Sequence, residues 1–165
     1  MIAMDLDLPD GLECRPLRMD EASAVAELAA ACEKHFLDEA FVDEADVAGE
    51  WARPGMDFAA DTRGVYAGEL LIAAAELDHR EQIYVDVRPS HLGLGIGSAL
   101  GGWALGLAME RGLKQVGQLV PTSDLAGAEI LRARGYRPAY TDWFLRMDEG
   151  VPLKRHELPG DVTIG

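Results

Sequence analysis

The sequence predicts an α/β (α+β) domain with a mixed, mostly antiparallel sheet flanked by helices. Three strand-like runs follow one another at residues 62–67, 70–77 and 82–87, joined by turns as short as Gly68-Glu69, which makes them antiparallel neighbours. Apolar residues recur at helical spacing over residues 20–36 and 96–110. Strand and helix patterns alternate from there to residue 147. At 165 residues the chain has the size of one domain.

The elements come in this order. Residues 12–15 form a first strand, closed by Pro16. Asp20 stands where it can cap a helix whose apolar stripe is Val25, Leu28, Ala29, Cys32 and Phe36. The acidic segment 38–54 contains a short second helix, 44–51, stopped by Arg53-Pro54-Gly55. After the hairpin of 62–67 and 70–77, Asp78-His79-Arg80 turns the chain into a strand with Ile83, Val85 and Val87 on one side and Tyr84 and Asp86 on the other. A helix opening at the glycines of 93–97 and running to about Glu110 buries Ile96, Leu100, Trp103 and Leu107, and Gly112 ends it. A strand at 115–120, a helix at 123–134 ended by Gly135 and a last strand at 140–147 complete a domain that spans 12–148. In the tail, 149–165, Leu158-Pro159-Gly160-Asp161-Val162 echoes Leu8-Pro9-Asp10-Gly11-Leu12. The tail reads as an extra strand, as the start of a second repeat, or as a chance match. As an extra strand it is a place for homodimer pairing.

Composition bounds the function. Asp plus Glu number 29 against 15 Lys plus Arg, for a net charge of −14, which excludes the basic face that nucleic-acid binding requires. An acidic surface suits a cationic substrate, although charge alone does not choose one. No apolar run is long enough to span a membrane, and the acidic N-terminus is unlike a signal peptide, so a soluble cytoplasmic protein is expected. Cys14 and Cys32 form no disulfide framework or metal cluster, and His35, His79, His91 and His156 are isolated from one another.

The chemistry-bearing feature is His91-Leu92-Gly93-Leu94-Gly95-Ile96-Gly97-Ser98, between a strand and a helix. Glycines at alternate positions before a helix permit a nest of backbone N–H groups at the positive end of the helix dipole, which favours a phosphate. No lysine follows the glycines, so the loop is not a P-loop. A dinucleotide fingerprint fails in both frames, at Ser98 counted from Gly93 and at Leu100 counted from Gly95.

Together, Tyr84-Val85-Asp86-Val87-Arg88-Pro89 and Gly93-Leu94-Gly95-Ile96-Gly97-Ser98-Ala99-Leu100 resemble the central motif of the GNAT (GCN5-related N-acetyltransferase) superfamily, and the element order fits that fold over nearly the whole chain. The superfamily pattern Q/R-x-x-G-x-G/A places its first position on Leu92, a departure, and its last two on Gly95 and Gly97. The resemblance implies acetyl-CoA as cosubstrate and an amine-bearing acceptor. The backbone at Val85, Asp86 and Val87 would pair with the pantetheine arm. The loop residues Leu92, Gly93, Leu94, Gly95, Ile96, Gly97 and Ser98 would hold the pyrophosphate, and the splay between 82–87 and 115–120 would admit the arm.

For proton transfer, the resemblance implies a glutamate eleven residues ahead of the motif, which is Glu81, with Asp86 and Glu76 as other acids for the cleft. The superfamily's thiolate-protonating tyrosine falls on Leu131, four residues before Gly135, leaving Tyr136 or Tyr140 as a substitute acid. Phe36, Phe41 and Trp51 flank the acidic segment where the superfamily builds its acceptor pocket, and Asp38, Glu39, Asp43 and Glu44 could bind an ammonium there. The expected function is an N-acetyltransferase acting on a primary amine of a small molecule or peptide. The alternatives are a non-catalytic GNAT-like acyl-CoA-binding domain, acting as a sensor or as the inactive half of a tandem protein, and an interaction domain without CoA affinity.

Overall fold

A five-stranded sheet in the order β1-β2-β3-β4-β5 organises the computed structural model, which describes residues 6–143 together with Leu145, Gly150 and Pro152. The strands are β1 (Glu13–Arg15), β2 (Thr62–Ala67), β3 (Leu70–Leu77), β4 (Gln82–Val87) and β5 (Gly117–Gln118). The first four are antiparallel and β5 lies parallel to β4. Gly68, at φ 61°, and Glu69 make the β2–β3 hairpin, as the sequence predicts. The helices are α1 (Ala22–Leu37), α2 (Glu44–Trp51), α3 (Phe58–Asp61), α4 (Ile96–Glu110) and α5 (Leu125–Ala133).

Alternation along the strands sends side chains to two cores. On one face Val65, Ile72, Leu77, Ile83 and Val87 pack against Ile96, Leu100, Trp103 and Ala104 of α4. On the other, Tyr66, Leu71 and Ala74 pack against Leu17, Leu28, Cys32 and Trp51. Each large apolar side chain buried this way contributes about 1.5–3 kcal/mol. The α4 stripe predicted from spacing is the buried one, with Leu107 at its margin. Gly112, at φ 69°, and Gly135, at φ 88°, follow the ends of α4 and α5.

Several elements differ from the sequence reading. Asp20 does not cap α1: residues Met19–Glu21 form a 3-10 turn, and Asp20 pairs instead with Arg18 at 3.0 Å. It is Glu21 whose carboxylate accepts the Arg18 N–H at 2.9 Å, and it also receives Arg15 at 2.6 and 2.9 Å and the Tyr66 hydroxyl at 2.9 Å. Strand β5 is two residues long because it leaves β4 after Gln118. Helix α5 begins two residues later than expected, its first turn capped by the Asp124 carboxylate on the Gly127 N–H at 2.8 Å. Helix α3, capped by Asp57, was not predicted. The last strand expected at 140–147 falls partly outside the described residues, and Tyr140, Thr141, Asp142 and Trp143 form no strand. Nearly all of the tail, with its echo of the opening segment, lies outside them too. No helix among the described residues is long and apolar enough to cross a membrane.

Candidate functional site

Strands β4 and β5 pair at two positions, Gln82 with Gly117 and Ile83 with Gln118, and then part. Val85, Asp86 and Val87 on one side and residues 118–121 on the other line a cavity of about 720 Å³ between them. The same cavity reaches Leu92, Gly93, Gly95, Ile96, Gly97 and Ser98, and α5 walls it with Leu125, Ile130, Leu131 and Arg134. The splay expected from the sequence is therefore present, and it is continuous with the glycine loop.

The loop is built to leave donors open. Gly93 and Gly95 sit at φ 78° and 81°, a left-handed region that a side chain would strain. Gly95 is the N-cap of α4, and no side chain caps that helix. Asp43, Asp57 and Asp124 cap α2, α3 and α5, whereas α4, like α1, has no side-chain cap. The first intrahelical bond of α4 runs from the Ala99 N–H to the Gly95 carbonyl, which leaves the N–H groups of Ile96, Gly97 and Ser98 without an intrahelical partner. A side chain at Gly97 would press on Val87 Cγ2 at 3.3 Å, so this glycine lets the helix start close against β4. Of the predicted loop residues only Leu94 lies outside the cavity lining, half exposed to solvent.

Among the candidate proton carriers, Asp86 lines the cavity while Glu81, Glu76 and Tyr136 do not. Asp86 is held at about 6 by burial, with the nearby Glu33 charge adding to the rise and the neighbouring Cys32 thiol opposing it. Glu33 also faces the cavity, and its carboxylate accepts the N–H groups of Phe41 and Val42 at 2.6 and 3.1 Å. Glu81 belongs to the turn entering β4, at φ 62°, where its carbonyl accepts the Gly117 N–H at the paired end of the two strands. Glu76 accepts the Trp51 indole N–H at 3.0 Å under α2, and burial raises its pKa. Tyr136 follows α5, and burial raises its pKa as well. Leu131 is buried at the position where the superfamily pattern carries tyrosine. None of Asp38, Glu39, Asp43 and Glu44 lines the cavity; Phe36 does, and Phe41 and Trp51 do not. His91 lines it, its Nδ1 2.9 Å from the Ser90 hydroxyl.

Sequence reasoning missed Arg134 and Glu33. Arg134 reaches back from the end of α5 to hydrogen-bond the Ser98 carbonyl in α4. The interior glycine Gly101 was the available signal, because it clears space that the guanidinium fills.

No family model matches the sequence, and neither does any curated protein. Solved structures do. A GCN5-related N-acetyltransferase from Sphaerobacter thermophilus superposes with a TM-score of 0.70 at 26% identity, over 79% of this chain and 45% of that one. The chain thus spans less than half the length of that protein. The PaiA N-acetyltransferase from Thermoplasma acidophilum, solved in complex with coenzyme A, matches at 0.60 and 16% identity over 79% and 92% of the two chains. The ribosomal-protein-S18-alanine N-acetyltransferase of Escherichia coli matches at 0.61 and 16% identity over 78% and 79%. The fold of this chain is that of the GCN5-related N-acetyltransferases.

Proposed function

We propose that the protein is an acetyl-CoA-dependent N-acetyltransferase acting on a primary amine of a small molecule or peptide. One observation carries this reading: the cavity between the parted β4 and β5 runs without a break to the uncapped start of α4. The backbone of Val85 and Val87 would hold an extended pantetheine arm as a strand does its neighbour. The amides at residues 93–98 and the dipole of α4 would hold the pyrophosphate. Acetyl-CoA bound this way presents its thioester beside Asp86.

Transfer forms a C–N bond as the amine attacks the thioester carbonyl, breaks the C–S bond and expels the thiolate. The attacking nitrogen must be neutral and must lose a proton on the way to the amide. Asp86 is the group assigned to take it, because it lines the cavity and is held near 6, close enough to neutrality to accept a proton and release it again. The second carboxylate, Glu33, draws the cationic amine toward the same end of the cavity. The two unpaired cysteines fit a cytoplasmic location.

Titration calorimetry with acetyl-CoA tests the binding half of the proposal, and absence of heat at millimolar ligand would sink it. Release of CoA thiol over a panel of amines tests turnover. Leu131, buried where the superfamily pattern has tyrosine, favours a second reading, a domain that binds acyl-CoA without transferring the acyl group. Binding without thiol release from any amine would establish that reading in place of the first.

A further inference from the structure

Arg134 ends α5, yet its guanidinium lies across the first turns of α4. It donates to the Ser98 carbonyl, and a Cβ built on Gly101 would stand 2.5 Å from its Nη1. One on Gly102 would stand 3.5 Å from Nη2. A glycine inside a helix costs roughly 0.5–1 kcal/mol relative to alanine, and here Gly101 makes room for this side chain, while Gly102 stands at ordinary contact distance from it.

The position is electrostatically uphill. A cation beside the N-terminal turn of a helix faces the positive end of the dipole, where anions are favoured. Among the described residues no carboxylate lies within ion-pairing distance of Arg134. It is also, among the described residues, the one arginine or lysine lining the cavity, which the open start of α4 lines as well. An anion between the guanidinium and the open amides of α4 would satisfy both at once. Leu92, the first position of the loop motif, offers no donor for it.

We propose that Arg134 is a phosphate-binding residue, supplying from α5 the cationic contact to the pyrophosphate of CoA that the loop itself does not carry. This assignment rests on the acyl-CoA reading above. The fork of a guanidinium matches two phosphate oxygens, and a charge-assisted contact of this kind carries roughly a 10- to 100-fold effect on affinity.

The test is calorimetry of the whole protein with CoA, dephospho-CoA and pantetheine, for the wild type, Arg134→Ala and Arg134→Lys. The expected result is a loss of roughly 10- to 100-fold with Arg134→Ala for CoA and dephospho-CoA, a smaller loss with Arg134→Lys, and unchanged affinity for pantetheine. Gly101→Ala keeps every charge but displaces the guanidinium, and it is expected to weaken CoA binding while leaving pantetheine unaffected. This variant carries the test if Arg134→Ala does not fold. Equal losses for CoA and pantetheine would reduce Arg134 to a packing residue and overturn the assignment. An effect confined to CoA and absent with dephospho-CoA would move the contact to the 3′-phosphate and overturn it too. Wild-type protein that binds none of the three ligands would instead remove the acyl-CoA reading itself.

Discussion

Cys32 of α1 donates its thiol hydrogen to the carbonyl of Val87, 3.3 Å away, and so fastens α1 to the strand that edges the cavity. The thiol is pushed up to about 12, mainly by burial and then by the charge of Asp86. The nucleophilic thiolate is therefore almost absent at neutral pH. In native protein at pH 8, iodoacetamide is expected to leave Cys32 unmodified while the less buried Cys14 labels slowly, and both should label once the chain is unfolded. Peptide mass spectrometry reads the order. Labelling of Cys32 as fast in native as in denatured protein would contradict the packing of α1 on β4.

Asp86 gives the pH dependence. As a base it works when ionised, so the rate is expected to rise with pH through about 6. Asp86→Asn should lower the rate constant by roughly 10²- to 10⁴-fold and remove that limb, whereas Glu81→Gln, outside the cavity, should leave the limb in place. Stability moves the other way. The folded state holds this proton more tightly than the unfolded chain, whose ordinary value is 3.8, so the group lowers stability as pH rises from about 4 to about 6. Chemical denaturation across that window should show a decline in the wild type that Asp86→Asn lacks.

Glu21 has the opposite sign. Arg15 chiefly, then the Tyr66 hydroxyl and the Arg18 amide, hold its carboxyl down at about 2. Its stabilisation is complete above the ordinary 4.5 and is lost as pH falls toward 2. Glu21→Gln is expected to cost about 1.5–3 kcal/mol at pH 7 in denaturant unfolding, with the difference from wild type shrinking in acid. A constant difference from pH 7 to pH 3 would show that the charge is irrelevant.

Gly95 tests the loop. Gly95→Val forces a branched side chain into φ 81° and into the space beside the open amides. Acetyl-CoA affinity should disappear, while circular dichroism keeps its native shape and the melting temperature falls by an amount consistent with about 1–3 kcal/mol of strain. Retained affinity would mean that the phosphate does not sit there.

Local patterns made much of the fold legible. The hairpin at Gly68, the buried face of α4 and the helix stops at Gly112 and Gly135 each depend on residues close in sequence. The departure of β5 from β4 was inferable only through the resemblance, and the two-rung length of the pairing was not legible in the local pattern. Asp20 shows the limit of cap assignment: the 3-10 turn Met19–Glu21 moves the start of α1 past it, and no side chain caps that helix. Arg134 was invisible for a different reason. A cation at the end of a helix is what the helix dipole favours, so its local sequence did not mark it, and the signal lay in the distant Gly101.

The two-rung pairing of β4 with β5 has a consequence for how the molecule opens. Among the described residues, β5 and α5 are tied to the rest by those rungs, by the Arg134 bond to Ser98 and by the Ser123 hydroxyl bond to Phe36. That unit should exchange its amide hydrogens through a low-energy opening that leaves the β1–β4 sheet closed. A ligand seated between the two parts bridges them, and at a hundredfold excess over its dissociation constant it adds about 2.7 kcal/mol against that opening. Occupancy of the cavity would then be written in the exchange rates of α5, a helix far from the chemistry in sequence.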